Sequence, residues 1–149
     1  MIYFVDTGIL LRAVDRKAAA RPDIVEAFRI LRARGDQLAT STQNLREFWN
    51  VSTRPTTARG GYGRSVEKTV NWLRILRALL QVIPETASTF PIWAGLVELH
   101  RVVGSQVHDA HLVAIMQSHG MRELLTLNAN DFRRYSDVKV ITPAEVIAS

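Results

Sequence analysis

Asp6, Glu47, Asp109 and Asp131 stand in four separate stretches of this 149-residue chain. If folding gathers them, their carboxylates repel one another and their pKa values rise. A hard divalent cation relieves that repulsion. Mg²⁺ takes oxygen ligands, keeps several waters, and is held by one or two carboxylates together with substrate phosphate. With a basic surface nearby, such a nest points to metal-assisted hydrolysis of a phosphodiester. Each acid also has an ordinary reading. Asp6 follows a short apolar run, where an acid often serves as a turn or cap residue. Glu47 lies one turn into an amphipathic helix, where acids face solvent or pair with a cation.

Asp109 carries the most local information. In SQVHDAHLVAIM, residues 105–116, the side chains after it are apolar almost all round, which marks a buried helix. A charge beside buried apolar groups is costly unless something pairs with it. The backbone dipole at a helix start is one partner; a basic side chain or a metal ion is another. His108 and His111 share a helix face at i, i+3, and His pairs bind transition metals. The surrounding acids favour a hard, oxygen-ligated cation instead. His100 and His119 show no partner pattern.

The elements that must position these residues are short. IYFV (2–5) ends at Asp6, Gln37 to Ser41 reads as a strand leading to Glu47, and ELLTL (123–127) leads to Asn128 and Asp131. Gln81 to Ile83 and Val138 to Ile141 are two further strand candidates. Helices are expected over Pro22–Arg34, from Thr42 as N-cap, from Ser65 as cap to about Leu80, from about Ser88 to Val103, through the Asp109 stretch to Gly120, and after Thr142-Pro143. The Ser65 helix shows one apolar face of Val66, Val70, Leu73, Leu76 and Leu80. STRPTTARGGYG (52–63) is a loop by its Pro, Gly and Thr content. Apolar strands alternating with helices predict a mostly parallel sheet covered on both faces. In such folds functional groups collect beyond the C-terminal strand ends, where Asp6, Glu47, Asn128 and Asp131 would meet.

Composition bounds the rest. The length suits one domain, residues 1–149, and 47% hydrophobic content suits a soluble globular protein. No apolar run approaches the roughly 18 residues of a membrane span, and MIYFVDTG lacks the features of a signal peptide. The absence of cysteine excludes a disulfide framework and thiolate chemistry. A cytoplasmic protein is expected. The net charge of +5 is localised: residues 50–79 hold Arg54, Arg59, Arg64, Lys68, Arg74 and Arg77 against Glu67 alone, and the remainder is neutral. A basic surface of this kind suits a polyanion, nucleic acid being the common case; a solvated helix face is the plain alternative.

FVDTGILLR (4–12), NLREFWNVSTRP (44–55), VHDAHLVA (107–114) and LLTLNANDF (124–132) occur in the order and spacing of PIN-domain nucleases. The chain resembles the VapC-type toxins of bacterial toxin–antitoxin pairs along essentially its whole length. That resemblance implies a three-layer α/β domain and a Mg²⁺- or Mn²⁺-dependent endoribonuclease. It makes Asp6 and Asp109 the metal-binding acids and Glu47 the third acid, which helps hold the metal or orients the attacking water and accepts its proton. Thr7 would hydrogen-bond the nest. At the fourth position Thr126-Leu127-Asn128 matches the family's Thr-x-Asp/Asn, with Asp131 supplying an acid in the next turn. In-line attack by a metal-bound water would leave a 5′-phosphate and a 3′-hydroxyl; the resemblance further implies RNA such as tRNA or rRNA as substrate, a small VapB-type antitoxin and a homodimer. Arg54, Arg59 and Arg64, with Arg74 and Arg77, would hold phosphates without reading sequence. Trp49, Tyr62 or Trp72 could stack an unpaired base; helical spacing favours the core for Trp49 and Trp72, and Tyr62, in the Gly-rich loop, is the freer candidate. A catalytically inactive RNA- or partner-binding module on the same fold is the alternative, supported by Asn128. A small-molecule phosphatase would need a DxD motif, whereas Asp6 is followed by Thr7-Gly8.

Overall fold

A computed structural model describes all 149 residues. The order along the chain begins with β1 (Ile2–Val5), α1 (Thr7–Val14), α2 (Arg21–Ala33), β2 (Gln37–Ser41), α3 (Thr42–Thr53) and α4 (Val66–Leu79). It continues with β3 (Gln81–Ile83), α5 (Thr89–Leu99), a 3₁₀ turn (Gly104–Gln106), α6 (Val107–Ser118), β4 (Glu123–Leu125), α7 (Ala129–Phe132), β5 (Lys139–Ile141) and α8 (Pro143–Ala148).

The five strands form one sheet in the order β3-β2-β1-β4-β5, and every pairing is parallel. Alternation along the strands sorts their side chains to two faces. Tyr3, Val5, Leu38 and Leu125 enter a core with α1 to α4 and α8. Phe4, Ala39, Ile83 and Leu124 enter a second core with α6, backed by Trp93, Leu96 and Val97 of α5. Phe4, Val5, Leu124 and Leu125 are inaccessible to solvent, as expected of central strands covered on both sides. The architecture is therefore a three-layer α/β fold, with a sheet that is wholly rather than mostly parallel.

Several boundaries differ from the sequence expectations for local physical reasons. The cap of α3 is Ser41, whose hydroxyl accepts the Asn44 amide at 3.2 Å, so Thr42 is already helical. The expected helix from Ser88 to Val103 stops at Leu99, and Arg101 after it takes a left-handed φ of 50°. Two short helices, α1 and α7, were not anticipated: at eight and four residues they lack the repeated turns that make periodicity visible. Val66, placed on the apolar face of α4, is exposed. Ser65 does cap that helix, accepting from Lys68 N, and Thr142 with Glu145 forms a reciprocal capping box at α8.

Because all strands run the same way, their C-terminal ends share one edge. Asp6 follows β1 at the centre, α3 leaves β2 on one side, and Thr126 follows β4 on the other. The backbone amide of Asp6 donates to Leu125 O at 3.1 Å, tying the two central strand ends together.

Candidate active site

Asp6 occupies the N-cap of α1 in extended conformation. Thr126 Oγ1 donates to its Oδ2 at 2.9 Å, and the Asn128 amide in turn donates to Thr126 Oγ1 at 3.1 Å. Burial raises the Asp6 pKa, and Glu47 adds to the rise; Thr126 and the Thr7 and Gly8 amides act against it. Arg12, one turn along α1, donates from Nη1 to Gly8 O at 3.1 Å. A Cβ at Gly8 would lie 3.4 Å from that nitrogen and 3.7 Å from Asp6 Oδ2, in ordinary contact with both.

Glu47 is reached through a directional relay. Ser41 Oγ donates to Asn44 Oδ1, Asn44 Nδ2 donates to Thr7 Oγ1 at 2.9 Å, and Thr7 Oγ1 donates to Glu47 Oε2 at 2.8 Å. Gln43 Nε2 donates to the other oxygen, Oε1, at 3.0 Å. Since Thr7 receives from Asn44, its single proton goes to Glu47, which is left purely an acceptor. Ser41, Asn44 and Thr7 are all buried, so the relay is shielded from competing water.

Asp109 sits half-buried in the first turn of α6, behind which Ala110 and Leu112 to Met116 are buried. Its pKa is pushed up to about 6, first by desolvation and then by Asp131, Asp6 and Glu47, with His108 opposing. Asp131, Asp6 and Glu47 thus act on Asp109, and Glu47 acts on Asp6. Asp131, exposed on α7, exerts the largest of the three charge effects on Asp109. Asn128, also exposed, is the N-cap of α7, contributing backbone and no side-chain cap.

The oxygen-rich donor set suits a hard cation. No three His, Asp or Glu side chains converge tightly enough to enclose an ion directly. A hard cation held there would keep much of its water shell. One orphaned atom supports this: Gln43 Oε1, beside Glu47, is buried without a hydrogen-bond partner, and a site water or hydrated ion would satisfy it. His111 turns to Glu85, Nε2 to Oε1 at 3.0 Å, and His108 is exposed.

The basic segment is less free than its composition implies. Arg54 Nη1 donates to Arg59 O at 2.8 Å, and Arg64 Nη1 donates to Ser52 Oγ at 3.0 Å while its guanidinium lies 4.2 Å from the Tyr62 ring centroid. Both arginines hold the 54–64 loop closed, leaving Arg59 exposed. Tyr62 is packed against the core rather than free, because the loop folds back with Tyr62 N donating to Val51 O. Trp49 and Trp72 are half-buried rather than fully internal. Asn44 and Arg12 are site residues that the sequence pattern did not single out. The Ser41-x-x-Asn44 spacing at a strand-to-helix junction was the available signal for Asn44; for Arg12 there was none beyond helical spacing from Gly8.

An acidic site on the carboxyl edge of a parallel sheet defines a class: α/β proteins whose strand ends and helix starts gather an oxygen-rich acidic cluster at that edge. Within that class, the sequence matches the PIN-domain family over residues 3–138, and this chain belongs to that family. No curated protein is matched by the sequence. Among solved structures, the fold is similar to VapBC2 from Rickettsia felis bound to a DNA fragment from its promoter, with a TM-score of 0.73, 18% identity, and coverage of 95% of this chain and 98% of that one. It is similar to DNA-bound VapBC from Salmonella typhimurium, with a TM-score of 0.69, 18% identity and coverage of 96% and 98%. It also resembles the sarcin–ricin loop-cleaving toxin VapC20 of Mycobacterium tuberculosis, with a TM-score of 0.58, 23% identity and coverage of 82% and 86%. No helix is long and apolar enough to cross a membrane.

Proposed function

We propose that this chain is a VapC-type toxin, an endoribonuclease dependent on Mg²⁺ or Mn²⁺. The observation that carries the reading is that Asp131, Asp6 and Glu47 all raise the pKa of Asp109 at one sheet edge, joined to membership of the PIN-domain family. Asp6 and Asp109 would hold the ion, with Asp131 rather than Asn128 as the fourth acid. A bound divalent ion supplies Lewis-acid stabilisation of phosphate charge and a lowered water pKa. Glu47, aimed by Thr7 and Gln43, orients the attacking water and accepts its proton. Thr126 holds Asp6 through its hydroxyl. In-line attack by water leaves a 5′-phosphate and a 3′-hydroxyl.

An antitoxin of VapB type is the proposed partner. The groove between α2 and α4, about 440 Å³, has an apolar floor with Phe28, Trp72 and Leu76 and a rim of Arg21, Arg29 and Arg32. Val25, Ile75 and Leu79 are left exposed there, the kind of surface an amphipathic helix with acidic flanks would cover. A second copy is proposed against the exposed Phe90, Leu99 and Val103 at α5 and just beyond it.

The test is cleavage of total RNA by purified protein in Mg²⁺ and in EDTA, with Asp6→Asn and Asp109→Asn as variants. Cuts bearing 5′-phosphates that vanish in EDTA and in both variants support the nuclease. RNA binding without cleavage, unchanged by EDTA, would instead establish an inactive binding module.

A further inference from the structure

The sequence favours the core over base stacking for Trp49 and offers Arg77 as one of five arginines that could hold phosphate. In the folded chain they line the same cleft, with Arg46. This cleft, about 600 Å³, opens between α3, α4 and β3. Leu45, Leu73 and Val82 contribute to its apolar part, and no carboxylate lines it. Trp49 is half-buried and lines the cleft, while Arg46 and Arg77 are exposed. Arg54 and Arg64 are occupied with the neighbouring loop. Arg46 and Arg77 form no ion pair, and neither guanidinium has an acceptor within the chain.

The cleft shares a helix with the acidic site. Thr42, Leu45, Arg46 and Trp49 fall at i, i+3, i+4 and i+7 and face the cleft. Gln43 and Glu47 occupy the adjacent stripe and face Thr7 and the acids. Residues three and four apart on a helix have Cβ atoms about 5–6 Å apart. Arg46 therefore sits within one turn of Gln43, at the boundary between the two stripes. A strand leaving the acidic site over α3 meets two unpaired cations and then an aromatic face on an apolar floor. Those are the two elements of single-strand recognition: cations for the backbone and a ring for an unpaired base.

We infer that the α3–α4 cleft is a nucleotide-binding subsite for single-stranded RNA, with Arg46 and Arg77 on phosphate and Trp49 stacked on a base flanking the cut. The subsite deepens the nuclease reading above and rests on it. It accepts any base, because a ring stack reads no hydrogen-bonding edge. It requires the substrate to be unpaired next to the scissile bond, which selects loops and ends over duplex.

The experiment measures binding of a fluorescein-labelled, mixed-sequence single-stranded oligoribonucleotide in EDTA, where cleavage is off. Variants are Arg46→Gln, Arg77→Gln, the double variant, Trp49→Leu and Trp49→Phe. Arg122→Gln, ahead of β4 at the opposite sheet edge, controls for loss of one charge. Each cleft arginine contributes about 0.7 to the slope of log affinity against log salt. Loss of the indole weakens binding about tenfold or more, and Trp49→Phe retains most of it. Both arginines are exposed, so their variants report on binding even if Trp49→Leu folds poorly. The inference is overturned if the double variant binds with the affinity and salt slope of Arg122→Gln. It is equally overturned if Trp49→Leu splits a dimer in sedimentation while RNA affinity stays unchanged, since the cleft would then hold a second copy. Loss of total-RNA cleavage by Asp6→Asn alongside wild-type-like binding by the cleft variants removes the subsite and leaves the nuclease. The converse result, no cleavage by the unaltered protein but weakened binding by the cleft variants, removes the nuclease and leaves the subsite.

Discussion

Replacing Asp109 by Asn separates a strained site carboxylate from a structural helix-start residue. The carboxyl is pushed from its ordinary 3.8 up to about 6. The folded chain therefore holds this proton more tightly than the unfolded chain does. Below about pH 4 the group is neutral in both states and costs nothing. Between about pH 4 and 6 the unfolded chain ionises first, and stability falls as pH rises; above pH 6 the full cost is present. A rise of this size corresponds to about 3 kcal/mol. Asp109 is partly exposed, so screening reduces the figure, and relief on the order of 1–3 kcal/mol is expected. For a domain of this size that is about 3–10 °C in Tm. Thermal unfolding followed by circular dichroism in EDTA should show Asp109→Asn melting higher than wild type at pH 8 and equal to it at pH 4. Adding Mg²⁺ at pH 8 should raise the wild-type Tm by mass action and leave the variant's nearly unchanged. If Asp109→Asn instead melts lower by the same amount at both pH values, with no metal effect on either protein, Asp109 is a helix-start residue and the acidic nest is not strained.

Thr7→Val leaves buried Asn44 Nδ2 and Glu47 Oε2 without their shared partner; urea unfolding should show a loss of about 1–3 kcal/mol, and the RNA-cleavage rate should fall although no acid is removed. Ser41→Ala removes the α3 cap and should cost about 1 kcal/mol in the same assay, whereas Thr42→Ala should cost much less. Gly61→Ala would place a Cβ 2.2 Å from Pro55 O and 2.6 Å from Arg54 O. The 54–64 loop cannot close around it, and proteolysis within that loop should become faster while the sheet remains intact.

Much of the architecture was written in local chemistry. Strands such as IYFV and QLATS are apolar and end in polar residues, so their positions follow from burial and their common polarity from the intervening helices. Asp6, Glu47 and Asp109 were recognisable because each adjoins such an element and because four motifs occur in family order. Ser65 and Thr142 were legible as caps because capping is a contact over three residues. Short α1 was not, since eight residues repeat the helical period only twice.

What the tertiary structure decided depends on contacts remote in sequence. That Thr126 bonds Asp6 across 120 positions, and that Asn44 aligns Thr7 toward Glu47, follows from strand order β2-β1-β4, which no local pattern specifies. The same holds for Asp131, whose charge acts on Asp109. It holds too for the arginines: in sequence Arg54, Arg64 and Arg77 are alike, and folding ties the first two to their own loop and sets the third beside Trp49. Sequence determines which side chains are charged and which segments must be buried, because those are properties of single residues and short repeats. Which charges are spent inside the chain and which remain free for a ligand is a property of pairs, and only packing brings the pairs together.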